Sequence, residues 1–519
     1  MPPARRPPMP RLPPFALADA RPASSKQRQG TMLLIFFLLF TLMFVAFHMP
    51  LLRLPYFWDE HGQFIPTALD LLRDGAWVAH STLPNIHPPG VEAYLVLWYK
   101  VFGYSILVTR VAMLTLAGLG LLGTFLLAIE MSTKAAGAPA FLPPLLLMVS
   151  PLFFMQGMMA QLDMPAMVGT VLALLFFVTG RHGWAAATCV ALVLTKETGL
   201  VVPVVLLGLS IWRRDWKHAA FYLAAPAALG VWLLVLHSAT GQWAGNADFA
   251  RYNLSYSLHP VRIVLTGLRR FYYLFLAEFR WIGTMALVFA AGKMRRLVTA
   301  AWIPVAWVFA ANLLLMTLFG GAALERYLLP VLPLFYIAVS VALTTYRRWV
   351  GGMMTAALGL GLIASLFVNP PYPFPYENNL AMVDFVSLQQ VAAEYVEDNL
   401  PASRIATAWP YTAGLERPEF GFVQRRGLRV VETNDFHLSS IKAIPPEQFD
   451  ILIVYTRTWA PEGGVIQFPL VRRFLAKFYE YAPEVTDADC EKLGLTPMVS
   501  WSRRGQTITV YKRTGLPGV

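Results

Sequence analysis

Pro55-Tyr56-Phe57-Trp58-Asp59-Glu60-His61 follows directly on an apolar run from Thr31 to Met49, and the reading of that junction decides the fold. The run is long enough to cross a bilayer. Arg5, Arg6, Arg11, Arg21, Lys26 and Arg28 precede it, which assigns the N-terminus to the cytoplasm. No small-residue cleavage site follows, so the run reads as an uncleaved first membrane helix rather than a signal peptide. Two acids just past hydrocarbon carry a desolvation penalty, and acids so placed commonly mark a pathway or a reaction centre.

Composition sets the class. Of 519 residues, 56% are hydrophobic and 14% charged, and the mean hydropathy is +0.52. A soluble chain of this length could not hide that much apolar surface, so the chain reads as a polytopic α-helical membrane protein. The formal charge of +12 is then not a nucleic-acid signal, because basic residues of membrane proteins collect in short cytoplasmic loops. Cys189 and Cys490 lie far apart with no CxxC, which argues against a disulfide framework or a zinc site.

Residues 1–30 are rich in Pro and Arg and read as a disordered cytoplasmic tail. After the first span, apolar segments fall near 106–130, 138–155, 164–180, 183–195, 198–212, 218–237, 271–291, 297–317, 326–346 and 350–368. About eleven transmembrane helices are therefore expected over 31–368. Alternating them places Lys134, Arg181, Arg213-Arg214 with Lys217, Lys293 with Arg295-Arg296, and Arg347-Arg348 inside. Segments 50–105, 156–163, Lys196-Glu197, 238–270, 318–325 and everything after 369 then lie outside. Within 50–105, Phe64, Ile65, Ala68, Leu69, Leu71 and Leu72 recur at helical spacing, as do Val91, Tyr94, Leu95, Trp98 and Phe102. These read as helices lying in the interface.

Asn369-Pro370-Pro371-Tyr372-Pro373-Phe374-Pro375 reads as an extended linker, and 369–519 as an exoplasmic soluble domain. A helical stretch over 384–398 precedes short apolar runs at Arg404–Ala408, Leu428–Glu432 and Ile451–Tyr455, the pattern of a small α/β domain. Glu462-Gly463-Gly464 is too sparse to be a phosphate-cradling glycine loop, and a binding or positioning role is expected.

Asp59 has a structural reading, a helix N-cap, and a functional one, a general base for an attacking hydroxyl or amine. Glu60 would orient it or raise its pKa by like-charge proximity; which of the two acts stays open. Asp163, in Gln161-Leu162-Asp163-Met164-Pro165, is a helix-start signal on the same outer side. Lys196 and Arg326 sit at outer span ends, against the positive-inside bias. An anionic headgroup would partner them, the Arg fork suiting phosphate; the plainer alternative is an ion pair with adjacent Glu197 or Glu325. Arg251, Arg262, Arg269 and Arg270 read as interfacial anchors. His87 is a lone loop histidine, His61 could support Asp59, and no metal-spaced cluster stands out. A divalent metal remains possible as cofactor.

These residues resemble a known family. Asp59-Glu60 after a first span, then Pro88-Pro89 and an aromatic-rich helix ending Phe102-Gly103, resembles the exoplasmic first loop of the GT-C glycosyltransferases. The resemblance is to the glycosyltransferase family 39-like branch of protein O-mannosyltransferases and aminoarabinose transferases. Asp163-Met164-Pro165, Lys196-Glu197-Thr198-Gly199 and Arg326-Tyr327-Leu328-Leu329-Pro330 with Pro333 follow in that family's order, over about 31–368. His87 stands where aminoarabinose transferases usually carry the Lys that meets the donor phosphate, a departure that bears on sugar and acceptor.

The resemblance implies a polyprenyl-phosphate sugar donor and an inverting transfer to a glycan, lipid or protein acceptor at the outer face of a cell (inner) membrane. In it Asp59, Glu60 and Asp163 would be catalytic, and Lys196, Arg326 and His87 would hold the donor phosphate. The rivals are a multi-pass transporter or flippase, whose acids would relay protons or bind substrate, and a membrane scaffold. The outer-end position of the acids and the lack of an internal repeat weigh against the first; the second leaves Asp59, Lys196 and Arg326 unexplained.

Overall fold

The computed structural model describes residues 23–133, 137–295, 297–319, 321–322, 324–425, 428–459 and 464–514. The tail before residue 23, Lys134, Arg296 and the Glu462-Gly463 pair lie outside the described residues. The chain is mostly helical up to Phe367, with a small mixed sheet near the C-terminus.

Five helices among the described residues are long and apolar enough to cross a membrane: Gly30–Leu51, Ile106–Met131, Trp216–Thr240, Glu325–Leu343 and Arg348–Phe367. A sixth is broken. Pro260–Phe275 and Arg280–Met294 meet at 88°, so the apolar segment expected over 271–291 is a corner rather than one span. Glu278 and Phe279 take left-handed φ values of 52° and 61° there. Arg280 donates to Glu278 at 2.8 Å, and the Tyr273 hydroxyl donates to the same carboxylate at 2.6 Å, which ties the corner together.

Several of the roughly eleven expected spans are short or Pro-interrupted, as their sequences indicate. Asp163–Val178, His182–Thr195, Glu197–Trp212 and Trp302–Leu318 are apolar but short. The segment expected over 138–155 is two helices, Leu142–Val149 and Pro151–Gln156. Pro151 has no N–H to continue the first helix and starts the second.

The helix ends sort by charge. Asp163, Lys196 and Arg326 stand at or beside one end of their helices; Arg181, Arg213-Arg214 and Arg347-Arg348 stand at the other. The first-loop helices form at Ile65–Asp74 and Gly90–Phe102. Pro66 starts the former and Gly75, at φ +70°, ends it.

The sheet has strands β1 (Arg404–Ala408), β2 (Arg429–Thr433), β3 (Ile451–Tyr455), β4 (Leu495–Arg503) and β5 (Gln506–Arg513), in the order β2-β1-β3-β5-β4. β1 pairs in parallel with β2 and β3, whereas β5 is antiparallel to both β3 and β4. Helix Ala381–Asn399 carries the expected 384–398 stretch. The β4–β5 hairpin was not expected: Pro497 and a bulge interrupt its alternation.

This unit sits on the first loop. The backbone N–H of Tyr56 donates to the Phe420 carbonyl at 3.3 Å, and the Tyr104 hydroxyl donates to Glu419 O at 2.7 Å. Phe385 packs on Phe57 and Trp58. Gly62 permits the approach, since a Cβ there would lie 2.5 Å from the Trp409 ring.

Candidate active site

Neighbouring acids of the first loop point to opposite sides of their backbone. Glu60 is fully buried and accepts from Arg110 Nη1 at 2.5 Å, Ala160 N at 2.7 Å and Phe57 N at 2.9 Å. Arg110, also fully buried, donates onward to the Met158 and Pro55 carbonyls. The pair fastens the loop to helix Ile106–Ala128 and to 158–160. Trp58, at φ +41°, turns the chain so that Asp59 leaves on the other face.

Asp59 caps nothing: its side chain makes no hydrogen bond to the helical turn it precedes. It accepts instead from Arg326 Nη2 at 2.5 Å. The same guanidinium donates through Nη1 to Glu377 at 2.9 Å and to Gln161 at 2.7 Å, with Nε 3.3 Å from Asp163. Asp163 also accepts from Lys196 Nζ at 2.5 Å, and that ammonium lies 4.5 Å from the Tyr327 ring centroid. Four expected residues, Asp59, Asp163, Lys196 and Arg326, thus meet in one network. The adjacent-pair alternative for the cations does not hold. Glu325 accepts from Arg269 at 2.9 and 2.5 Å, and Glu197 pairs with His87 Nδ1 at 2.8 Å.

The network lines a cavity of about 1130 Å³. Asp59, Asp163, Lys196, Arg326 and Glu377 form its charged end, and Val201, Val204, Leu229, Leu233, Leu315 and Phe319 are among its apolar lining. His87 and Glu197 also reach it; Glu60 does not. Three carboxylates (Asp59, Asp163, Glu377) face two cations (Lys196, Arg326), one negative charge in excess when all are ionised. Burial pushes the Glu377 carboxyl up to about 7 despite the pull of Arg326.

Other expectations shift. His61 is buried, bonds the Tyr56 carbonyl through Nδ1 at 2.8 Å and packs on Phe420 and Phe422. Burial lowers its pKa to about 4, and it serves the loop fold rather than Asp59. Arg269 and Arg270 are both bonded within the protein. Arg270 is buried and donates to the Met316 and Leu324 carbonyls, while Arg269 holds Glu325, so both brace the approach to Arg326.

Glu377, Trp409 and Arg457 reach the cavity unannounced by the sequence reading, and the buried Gln161 accepts from Arg326. Glu377 follows the Pro-rich linker directly, a place where a lone acid is hard to tell from a solvated one. Arg457 lies 5.2 Å over the Trp58 ring, which brings the C-terminal unit into the cavity wall. As to metals, the His/Cys/Asp/Glu groups with converging ligand atoms among the described residues are His182-Asp215-His218 and Asp70-Asp74-His80. Neither includes a cavity carboxylate.

No protein-family model matches the chain, and no curated protein sequence does. Solved structures do. ArnT from Cupriavidus metallidurans bound to undecaprenyl phosphate aligns at TM-score 0.53 and 13% identity, over 92% of this chain and 99% of that one. Its apo state aligns at 0.54 and 14%, over 90% and 97%. The oligosaccharyltransferase AglB from Archaeoglobus fulgidus, in complex with an inhibitory peptide and a dolichol-phosphate, gives 0.49 and 11%, over 94% and 75%. At such identities the likeness is one of fold: the chain shares the fold of ArnT, the GT-C fold.

Proposed function

We propose that the chain is a membrane glycosyltransferase that moves a sugar from a polyprenyl-phosphate donor to an acceptor at the outer membrane face, with inversion. The observation that carries this is the meeting of Asp59 with Arg326 and Lys196 at the charged end of a cavity whose lining is predominantly apolar. A lipid-linked phosphate has that division, a long apolar tail and one anionic group. ArnT, whose fold this chain shares, has been seen with undecaprenyl phosphate.

In the proposed reaction Asp59 takes the proton from the acceptor hydroxyl or amine. The acceptor atom then attacks the anomeric carbon from the face opposite the phosphate, and the bond from that carbon to the phosphate oxygen breaks. Phosphate leaves without needing a proton, so a second acid is not required, unlike in a glycosidase. Its gain of negative charge is offset by Arg326 and Lys196, which are already fixed in place. The phosphate would compete with Asp59 for the Arg326 guanidinium and so release the carboxylate for base work. Asp163 holds both cations, and His87, positioned by Glu197, reaches the same space. Glu60 is read as a loop fastener. On the charge sorting of the helix ends, the cluster and the C-terminal domain face outward.

Incubating purified protein with a radiolabelled polyprenyl-phosphate sugar tests the reading. Lipid phosphate should be released, and Asp59→Asn should cut release by about 10²–10⁴-fold while thermal unfolding is unchanged. Full release by that variant would sink the base assignment. Transbilayer movement of the lipid without release would favour a flippase.

A further inference from the structure

Helix Pro469–Tyr479 has no buried residue, although half its sequence is apolar. Leu470, Phe474 and Phe478 fall four apart on one face with Val471 and Leu475 beside them, whereas Arg472, Arg473 and Lys477 flank that face. Leu470 is 78% exposed, and Phe468, one residue before the helix, 61%. Phe474 is 38% exposed, and Val471, Leu475 and Phe478 are half-buried, so the open apolar face runs from Phe468 through Leu470 to Phe474.

Its position supplies the missing partner. Arg262 donates through Nε to the Phe478 carbonyl at 2.5 Å, and the His259 ring lies 5.6 Å from that of Phe478. Both residues belong to the start of helix Pro260–Phe275, the arm bent 88° from Arg280–Met294. If Arg280–Met294 crosses the bilayer, a partner at 88° to it lies along the surface. That arm exposes Val264, Leu268 and Phe271, and the amphipathic 469–479 helix joins its end.

We propose that helix 469–479 docks on an anionic lipid surface, its Leu470–Phe474 face entering the headgroup–acyl boundary and Arg472, Arg473 and Lys477 meeting lipid phosphates. Basic residues flanking an apolar face are the pattern of helices that lie in the interface. The helix and the Pro260–Phe275 arm would act as a paired foot that ties the C-terminal α/β unit to the membrane. The proposal needs only that the unit share a membrane face with that arm, so it stands or falls apart from the transferase reading.

The test uses the full chain in vesicles of phosphatidylglycerol with bromine-labelled acyl chains. An environment-sensitive fluorophore is placed at Leu470→Cys, and separately at Lys442→Cys, an exposed site of the same unit. Cys189 and Cys490 are buried, so the new thiol takes the label. Blue-shifted emission and strong quenching are expected at 470, with neither at 442. Replacing Arg472, Arg473 and Lys477 together by Glu should bring the 470 signal down to that of 442, with the unfolding temperature unchanged. Water-like emission at 470 in the parent overturns the proposal. So does 470–470 crosslinking in detergent, which would make a second copy the occupant.

Discussion

The Glu60–Arg110 pair and the Asp59 cluster hold similar chemistry a few residues apart, and they differ in how far their charges are committed. Behind the loop, one carboxylate and one guanidinium are fully buried, and each is bonded further to backbone groups. In front of it, three carboxylates share two cations beside a large cavity. The first arrangement has nothing left to offer a substrate; the second is unbalanced and open. Sequence adjacency therefore joins a fastener and a cavity-facing carboxylate, and the fastener fixes where that carboxylate points.

The comparison breaks most visibly if the two sites trade phenotypes. Against the transfer loss set out for Asp59→Asn, Arg110→Ala should leave Glu60 as an uncompensated buried charge and cost about 3–5 kcal/mol of stability. Thermal unfolding in detergent should show that loss, together with little folded protein in the membrane. Glu60→Gln leaves Arg110 unpaired instead and should destabilise in the same direction, yet the molecules that fold should still release lipid phosphate. A stable, inactive Glu60→Gln would put the base on the wrong residue of the pair.

Arg326→Lys probes the cavity side alone. It keeps the charge but loses the planar fork that reaches Asp59, Glu377 and Gln161 together. The expected outcome is a rise of about tenfold in the donor KM, worth about 1.4 kcal/mol, with kcat less affected. An unchanged donor KM would remove Arg326 from phosphate handling and leave it a structural partner of Asp59.

Much of this was legible because membrane burial restricts what acids and bases can do. Asp59 and Asp163 stand out as acids at span ends and Lys196 and Arg326 as cations on the side that the positive-inside bias disfavours, and the structure gathers all four. Glu60 could not be separated from Asp59 by sequence, since the distinction lies in the left-handed turn at Trp58 and in Arg110, fifty residues away. Glu377 was hidden for another reason: its partner Arg326 comes from a distant helix end, and only the fold removes it from water. The corner within 271–291 is invisible in sequence because an apolar run records hydrophobicity, not direction. Glu278-Phe279 breaks the helix without breaking the run.

The subtlest difference between the two sites is pH. Burial raises the Glu377 carboxyl to about 7, whereas a free Glu titrates near 4.5. Between those values the folded chain keeps a proton that the unfolded chain has lost, so this group's contribution to stability falls as pH rises through that window. The same ionisation adds negative charge beside Arg326. Binding of a polyprenyl phosphate should therefore weaken between pH 6 and 8, by less than about tenfold, as Glu377 passes from mostly neutral to mostly ionised. Glu377→Gln keeps the shape and removes the titration, so its binding should be flatter across that range and tighter than the parent's at pH 8. Intrinsic fluorescence is a suitable readout, since Trp58 and Trp409 line the cavity. If parent and variant weaken in parallel, the titrating group is elsewhere and Glu377 is only a spacer for Arg326.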